Sequence, residues 1–242
     1  MKKVKLGKQG LEVSPIGLGC MGMSEFYGSA SEQQNLKVLD YAANIGSTFW
    51  DTSDMYGPFT NEVLLGQALK GKRDKITLAT KFGISRGEDG SWKGIKGNAE
   101  YVKSSCEASL KRLGTDYIDL YYLHRLDPET PIEETRDVEE DILPTIKKLS
   151  VGFVAYSPLG RGFLTGNIRS RADLEEGDWR LDNPRFTEEA IAHNVKLADL
   201  ISEISNKVGA TPAQVALTWL LSRDSSIAEI PGTRKIERLK EN

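Results

Sequence analysis

The chain has 242 residues, 39% hydrophobic and 28% charged, with a formal net charge of −3, which predicts one soluble domain or at most two; we expect a single domain, 1–242. No block of basic residues suggests nucleic acid as a partner, and no apolar run is long enough for a membrane span or a signal peptide. Cys20 and Cys106 form no CxxC pair and only two histidines are present, so we expect no metal and a reducing, cytoplasmic location.

Strand and helix patterns alternate through the first half of the chain. Residues 4–14 alternate around two glycines and predict an N-terminal β-hairpin. Buried strands are predicted at 15–21, 49–57, 76–80 and 117–123. Helices are predicted from Ser31 to Gly46, from Asn61 to Gly71 and from Asn98 to Gly114, on capping residues and apolar periodicity. The Gly-rich, polar segment 83–97 is interpreted as a loop. This alternation is typical of parallel βα units.

The pattern changes in the second half. Helix starts at 127–134 and 137–149 lie only a few residues apart. A strand is then predicted at 151–156, a long surface loop at 168–186, helices beginning at Thr187 and Thr211, and a last strand at 227–230. These patterns predict six parallel strands, whereas a closed (β/α)8 barrel has eight. At about 30 residues per βα unit, two units are missing, and the adjacent helix starts place the gap at 135/136.

Polar side chains lie at the ends of three of these strands. Asp51 and Tyr56 belong to the polar end of the second, Lys81 follows the third and His124 follows the fourth. The carboxyl ends of parallel strands share one rim, so we expect these groups to meet there. A tyrosine beside a lysine held by a carboxylate is suited to donate a proton, since the cation lowers the phenol pKa from about 10. Each residue alone also has a structural explanation, such as a turn cap or a surface lysine. The combination favours a site.

Several longer motifs carry a resemblance. They are IGLGCMG at 16–22, FWDTSDMYG at 49–57, ATKFG at 79–83, EASLKRLGTDYIDLYYLHR at 107–125, VAYSPLGRGFLTG at 154–166 and IPGTRKIERLKEN at 230–242. Together they resemble the aldo-keto reductase family, especially its members related to perakine reductase and auxin-induced proteins. The resemblance implies an α/β fold of the (β/α)8 TIM-barrel type. It also implies NADPH-dependent reduction of small aldehydes or ketones to alcohols, without a metal.

The resemblance assigns roles to individual residues. Tyr56 would be the general acid, Lys81 would lower its pKa, Asp51 would fix Lys81, and His124 would orient the carbonyl or share the proton. The implied cofactor residues are Met21, Gly22, Asp51, Tyr156, Ser157, Leu159, Arg161, Gly232, Thr233, Arg234, Arg238, Glu241 and Asn242. Tyr156 would stack on the nicotinamide, and the residues from Gly232 onward would hold the adenosine end. Arginines there suit a 2′-phosphate, which favours NADPH over NADH.

The chain also departs from the family pattern. Family members carry two further βα units between the parts corresponding to Thr135 and Arg136, and those strands hold polar groups that grip the nicotinamide carboxamide. The last helix stops at Asn242, before the family's usual C-terminal segment. Two alternatives therefore stay open beside the reductase. One is a non-catalytic NADP(H)-binding or partner-binding module, like the channel-associated β-subunits of the same superfamily. The other is an inactive truncated variant. The oligomeric state is not indicated by the sequence.

Overall fold

A computed structural model describes residues 3–27, 30–125 and 152–242. The strands are β1 Val4–Leu6, β2 Leu11–Val13, β3 Leu18–Gly19, β4 Phe49–Asp51, β5 Thr77–Phe82, β6 Ile84–Arg86, β7 Trp92–Ile95, β8 Leu120–Leu123, β9 Phe153–Tyr156 and β10 Ile227–Ile230. The helices are α1 Glu32–Ile45, α2 Thr60–Leu69, α3 Ala99–Leu113, α4 Glu188–Val208, α5 Pro212–Leu221 and α6 Ile236–Glu241. The predicted helix starts at 127–134 and 137–149, and the junction at 135/136, lie outside the described residues.

Six parallel strands form one continuous array. Strands β3, β4, β5 and β8 are paired in that order, and β9 pairs with β10. The segment leading into β3 joins the two groups: the Gly17 N–H donates to the Glu229 carbonyl at 2.8 Å, and the Glu229 N–H donates to the Pro15 carbonyl at 3.0 Å. The order is therefore β9–β10–β3–β4–β5–β8. The six predicted parallel strands are confirmed. Within the described ranges, β8 and β9 are the outer strands and do not pair with each other.

Two apolar layers lie on opposite faces of this array, as the two-residue period of a strand requires. Outward-facing Leu18, Trp50 and Leu78 pack against helices α1 and α2. Inward-facing Phe49, Ala79, Ala228 and Ile230 pack with Leu6 and Val13 of the hairpin β1–β2. The predicted N-terminal hairpin thus covers the interior of the array. In the part of the chain described here, no helix is both long and apolar enough to cross a membrane.

Most predicted helix starts are confirmed by their caps, and one is wrong. The side chains of Asn98, Thr187 and Thr211 accept the expected backbone N–H bonds. The second helix instead begins at Thr60 with Phe59 as its N-cap. The amide of Asn61 does not cap it, because that side chain is engaged in buried hydrogen bonds to Thr52 and to the Cys20 carbonyl.

The predicted loops contain regular structure. Residues 83–97 hold the antiparallel pair β6–β7, so the loop interpretation of this segment is wrong. A turn joins the two strands, with the Gly87 N–H donating to the Ser91 carbonyl at 2.8 Å and Gly90 at a φ of +82°. The segment 168–186 carries short 3-10 turns at Arg171–Asp173, Trp179–Asp182 and Pro184–Phe186. Short-range patterns miss such elements because each spans only three or four residues.

Candidate active site

The four candidate catalytic residues lie at the carboxyl ends of three neighbouring strands. Asp51 is the last residue of β4, and Tyr56 lies on the loop that follows it. Lys81 lies near the end of β5, and His124 directly follows β8. Because β4, β5 and β8 are adjacent and parallel, their ends place these side chains together at one rim.

Lys81 is the centre of this cluster. Its ammonium forms a salt bridge with Asp51 and donates hydrogen bonds to the Thr52 carbonyl at 2.8 Å and to Tyr56 Oη at 3.1 Å. Burial alone would lower the pKa of Lys81. The Asp51 carboxylate, helped by the phenols of Tyr56 and Tyr122, outweighs burial and raises this pKa well above its ordinary value. The ammonium therefore stays charged although the side chain is almost fully buried.

The expectation that the pKa of Tyr56 is lowered is wrong for this structure. Burial raises the pKa of Tyr56, the nearby Lys81 ammonium lowers it, and the Asp51 carboxylate raises it again, so the net direction is upward. The physical reason is that the phenolate would lose its water, while Asp51 already neutralises much of the charge on Lys81. Tyr56 is therefore held protonated, which is the form that a proton donor requires.

His124 is held as a neutral imidazole. Its Nδ1 lies 3.0 Å from Ser53 Oγ, and its ring packs edge-on against Tyr56 with 5.5 Å between centroids. Burial, with smaller contributions from Lys81 and Arg125, lowers the pKa of His124 to about 3. The ring can therefore offer or accept a hydrogen bond near neutral pH but does not carry a charge.

Two further residues of the site were not predicted from the sequence. The hydroxyl of Tyr122 donates to Asp51, so that carboxylate is held by both Lys81 and Tyr122. Ser53 contacts the His124 ring, as described above. Because side chains alternate along a strand, Tyr122 and His124 lie on the same face of the chain, and this pattern could have identified Tyr122 as a site residue. That Tyr122 lies opposite Lys81, however, depends on the register between β8 and β5.

The Tyr56 loop is fixed by buried polar contacts and a glycine. Thr52 Oγ1 donates to Asn61 Oδ1 at 2.6 Å, and Asn61 Nδ2 donates to the Cys20 carbonyl at 2.9 Å. Gly57 has a φ of +84°, and a Cβ there would lie 2.1 Å from Thr60 Oγ1. Only glycine fits this position without moving the loop that carries Tyr56.

The residues expected near the nicotinamide and pyrophosphate lie beside this rim. Met21 and Gly22 form a 3-10 turn directly after β3. Tyr156 ends β9, and 63% of it is exposed, so its ring is available for stacking. Three more residues follow on the next loop: Ser157, Leu159 and Arg161. Ser157 and Arg161 both have positive φ, which turns the chain sharply there. The Arg161 guanidinium stacks over the Trp179 ring, 4.6 Å from its centroid.

The residues expected at the adenosine end follow β10, next to β3. Gly232 is bridged to Gly19. The Arg234 guanidinium donates to the Tyr27 carbonyl, and Arg238 on α6 pairs with Glu241 at 3.2 Å. Thr233 and Asn242 flank these residues in the chain. The residues that could hold a dinucleotide thus follow the carboxyl ends of β9, β10 and β3, on the side of the array where Lys81 and Tyr56 lie.

Sequence comparisons agree with this architecture. The model of the aldo/keto reductase family matches two segments, 15–138 and 135–242. The soybean (Glycine max) protein described as probable aldo-keto reductase 1 is 39% identical, and the match covers 100% of this chain and 83% of that protein. That alignment has 295 positions, more than the 242 residues of this chain.

Structural comparisons give the same fold. A glycerol dehydrogenase from Gluconobacter oxydans has a TM-score of 0.83 at 22% identity, covering 99% of this chain and 88% of its own. An aldo-keto reductase from Bacillus halodurans in its holo form has a TM-score of 0.74 at 29% identity, and the match covers 99% of this chain and 89% of that protein. An aldo/keto reductase from Klebsiella pneumoniae, solved with NADP and acetate, has a TM-score of 0.67 at 24% identity, and the match covers 100% of this chain and 88% of that protein.

These likenesses confirm the expected α/β fold of the TIM-barrel type. The family model and the soybean relative each match nearly the whole chain, and both are described as aldo-keto reductases. The chain therefore belongs to the aldo-keto reductase family of oxidoreductases.

Proposed function

We propose that this chain reduces aldehydes or ketones to alcohols with NADPH, and that Tyr56 donates the proton. The single observation that carries this proposal is the buried hydrogen bond of 3.1 Å between the Lys81 ammonium and Tyr56 Oη, with Lys81 fixed in turn by Asp51. A protonated phenol in contact with a permanent cation is arranged for proton transfer, because the cation stabilises the phenolate that forms.

The residues of the site then have distinct roles. NADPH supplies the hydride, and negative charge develops on the carbonyl oxygen as the hydride is accepted. Tyr56 gives its proton to that oxygen, and Lys81 stabilises the phenolate left behind. Asp51 holds Lys81 in position and is itself held by Tyr122. Neutral His124 keeps Nε2 for a hydrogen bond to the substrate oxygen, since Nδ1 is engaged by Ser53.

The residues around the rim fit a phosphorylated dinucleotide. The exposed ring of Tyr156 offers a planar face for the nicotinamide, and the sharp turn at Ser157 and Arg161 lies next to it. Arg234 and Arg238 provide guanidinium forks of the kind that bind phosphate. The Klebsiella relative was solved with NADP, which supports the same coenzyme here.

Replacing Tyr56 by phenylalanine tests the assigned acid. We expect Tyr56→Phe to lower NADPH oxidation with small aldehydes by about 10²–10⁴-fold, because the positioned proton donor is lost. Quenching of cofactor fluorescence should be unchanged. Tyr117→Phe is the matched control, since this tyrosine is 44% exposed and precedes β8 at its other end. Activity retained in Tyr56→Phe would refute the role of Tyr56.

One observation favours a second candidate, a non-catalytic NADP(H)-binding module. The outer strands β8 and β9 are not paired with each other in the described ranges. The two segments matched by the family model overlap at 135–138, and the soybean alignment is longer than this chain by nearly two units of about 30 residues. We infer that two βα units of a single-domain barrel are absent at 135/136. Cofactor quenching without turnover would favour this candidate, steady-state reduction would exclude it, and an intact mass of the natural protein tests the deletion.

A further inference from the structure

The imidazole of His124 is connected through one hydroxyl to a buried carboxyl group. Ser53 Oγ lies 3.0 Å from His124 Nδ1 and 3.2 Å from Asp54 Oδ1. The Met55 N–H donates to the same Ser53 oxygen at 3.3 Å. Ser53 is completely buried and Asp54 is 3% exposed. The role proposed above for His124 does not involve Asp54.

Counting protons leaves two arrangements in which Ser53 bonds to both His124 and Asp54, rather than donating to the more distant Lys81 carbonyl at 3.5 Å. A hydroxyl donates one hydrogen bond and accepts two, and Met55 already occupies one acceptor position. If Asp54 is protonated, it donates to Ser53, Ser53 donates to Nδ1, and the His124 proton lies on Nε2. If Asp54 is ionised, Ser53 donates to Asp54 instead and accepts from Nδ1–H, so Nε2 becomes an acceptor. Protonation of Asp54 at Oδ1, the oxygen that faces Ser53, thus selects the tautomer of His124.

The charged groups around this chain of hydrogen bonds place its titration near neutral pH. Burial and the Glu62 carboxylate raise the pKa of Asp54 to about 7, while the Ser53 hydrogen bond and Arg112 lower it by less. Tyr121 on β8 also faces Asp54, and its own pKa is raised, so it stays neutral. His124 is faced by Lys81 and Arg125, which disfavour an imidazolium. Asp54 is therefore the group of this chain that changes its charge.

We propose that Asp54 and Ser53 form a proton relay behind His124, which sets its tautomer and passes a proton between Asp54 and Nε2. The catalytic consequence depends on the function proposed above, in which Nε2 faces the substrate oxygen. The hydrogen bonds themselves do not depend on it. Ser53 and Asp54 are positioning residues, since they act through His124.

The relay moves one proton and forms no imidazolium. In the direction of carbonyl reduction, Tyr56 protonates the substrate oxygen, and Nε2 then gives its proton to the phenolate left on Tyr56, whose ring packs against His124. At the same time Nδ1 takes the proton of the Ser53 hydroxyl, and Ser53 takes the proton of Asp54. The O–H bonds of Asp54 and Ser53 and the N–H bond at Nε2 break, and an N–H bond at Nδ1, a new O–H bond at Ser53 and the O–H bond of Tyr56 form. Asp54 ends as a carboxylate, and alcohol oxidation reverses every transfer.

Nitrogen NMR of the full chain tests the relay without any turnover. The chain has only two histidines, and His193 is exposed on α4. Labelling with ¹⁵N-histidine therefore gives two rings, and His193→Gln identifies the signals of His124. We expect His124 to change from the Nε2–H to the Nδ1–H tautomer as the pH rises through about 7, with no imidazolium signal. Asp54→Asn should show no such change, because the amide does not titrate.

Two further measurements make the result decisive. Ser53→Ala removes the link but keeps Asp54, so its His124 tautomer should also become independent of pH. If Asp54→Asn does not fold, Ser53→Ala answers the same question. In the wild-type chain, kcat for reduction should fall about tenfold per pH unit above about pH 7, whereas kcat of Asp54→Asn should not change with pH in that range. A His124 tautomer that is constant from pH 5.5 to 8.5 in wild type, or a pH-driven change that persists in Ser53→Ala, would overturn the relay. Absence of turnover would refute the proposed function instead.

Discussion

Removing the charge of Lys81 should separate what this residue does for catalysis from what it does for stability. Lys81→Met keeps the length of the side chain and deletes its ammonium. Three partners then lose their donor or cation: Asp51, the Thr52 carbonyl and Tyr56 Oη. Asp51 is 2% exposed, so its carboxylate would be left buried with Tyr122 as a remaining donor.

The expected cost follows from this geometry. Removing one partner of a buried ion pair destabilises a protein by about 3–5 kcal/mol, because the other charge stays without compensation. That is a large share of the about 5–15 kcal/mol by which a typical domain is stable. Replacing both members of a buried ion pair changes the free energy of unfolding little, so the double variant Asp51→Asn, Lys81→Met should recover most of the lost stability.

Urea unfolding followed by tryptophan fluorescence measures the stability of the single and the double variant. The slope of the free energy of unfolding against urea concentration should be the same in all variants. NADPH oxidation with a small aldehyde should be absent from the single and the double variant alike, since both lack the cation beside Tyr56. The reasoning is refuted if Lys81→Met is within about 1 kcal/mol of wild type, or if the double variant is as unstable as the single one.

Two further substitutions test the packing of the strands. Both carboxyl oxygens of Glu229 lack a hydrogen-bond partner in the described residues, and burial raises the pKa of Glu229 to about 8 from 4.5. The contribution of neutral Glu229 to the free energy of unfolding is therefore complete below pH 4.5 and is lost as the pH rises to about 8. Glu229→Leu should remove a fall in stability of about 1.4 kcal/mol per pH unit in that range, and an unchanged pH dependence in urea unfolding would contradict this. In Gly17→Ala the new Cβ would lie 2.6 Å from the Phe49 carbonyl, which is backbone and cannot yield, so thermal unfolding should show a loss of about 1–3 kcal/mol; an unchanged midpoint would refute it.

The elements that the sequence predicts well are those encoded by short-range interactions. Thr211 caps α5 through a bond to Gln214, three residues away, and Pro212 has the φ that a first helical turn needs. The strands leading to Asp51 and Lys81 show as apolar runs that end in polar residues. Because the ends of parallel strands share one rim, these local patterns also predict that the two side chains lie near each other.

Contacts between distant parts of the chain could not be read in this way. Asn61 has the sequence signature of a helix cap, but its amide bonds to the carbonyl of Cys20 on another element. The contact of Tyr122 with Asp51 requires that β8 lie beside β5 in one particular register. A shift of one residue would turn Tyr122 to the opposite face of the strand, and nothing in its local sequence excludes that shift.

The sequence by itself therefore determined which parallel strands form and which polar groups they carry to the rim, since both follow from the periodicity of neighbouring residues. Only the tertiary structure decided the protonation of those groups. The pKa of Tyr56 is raised although Lys81 is in contact with it, and the pKa of His124 is lowered to about 3. The physical reason is that the free energy of a buried charge depends on the water it loses and on every charge around it, and most of those groups are distant in the chain.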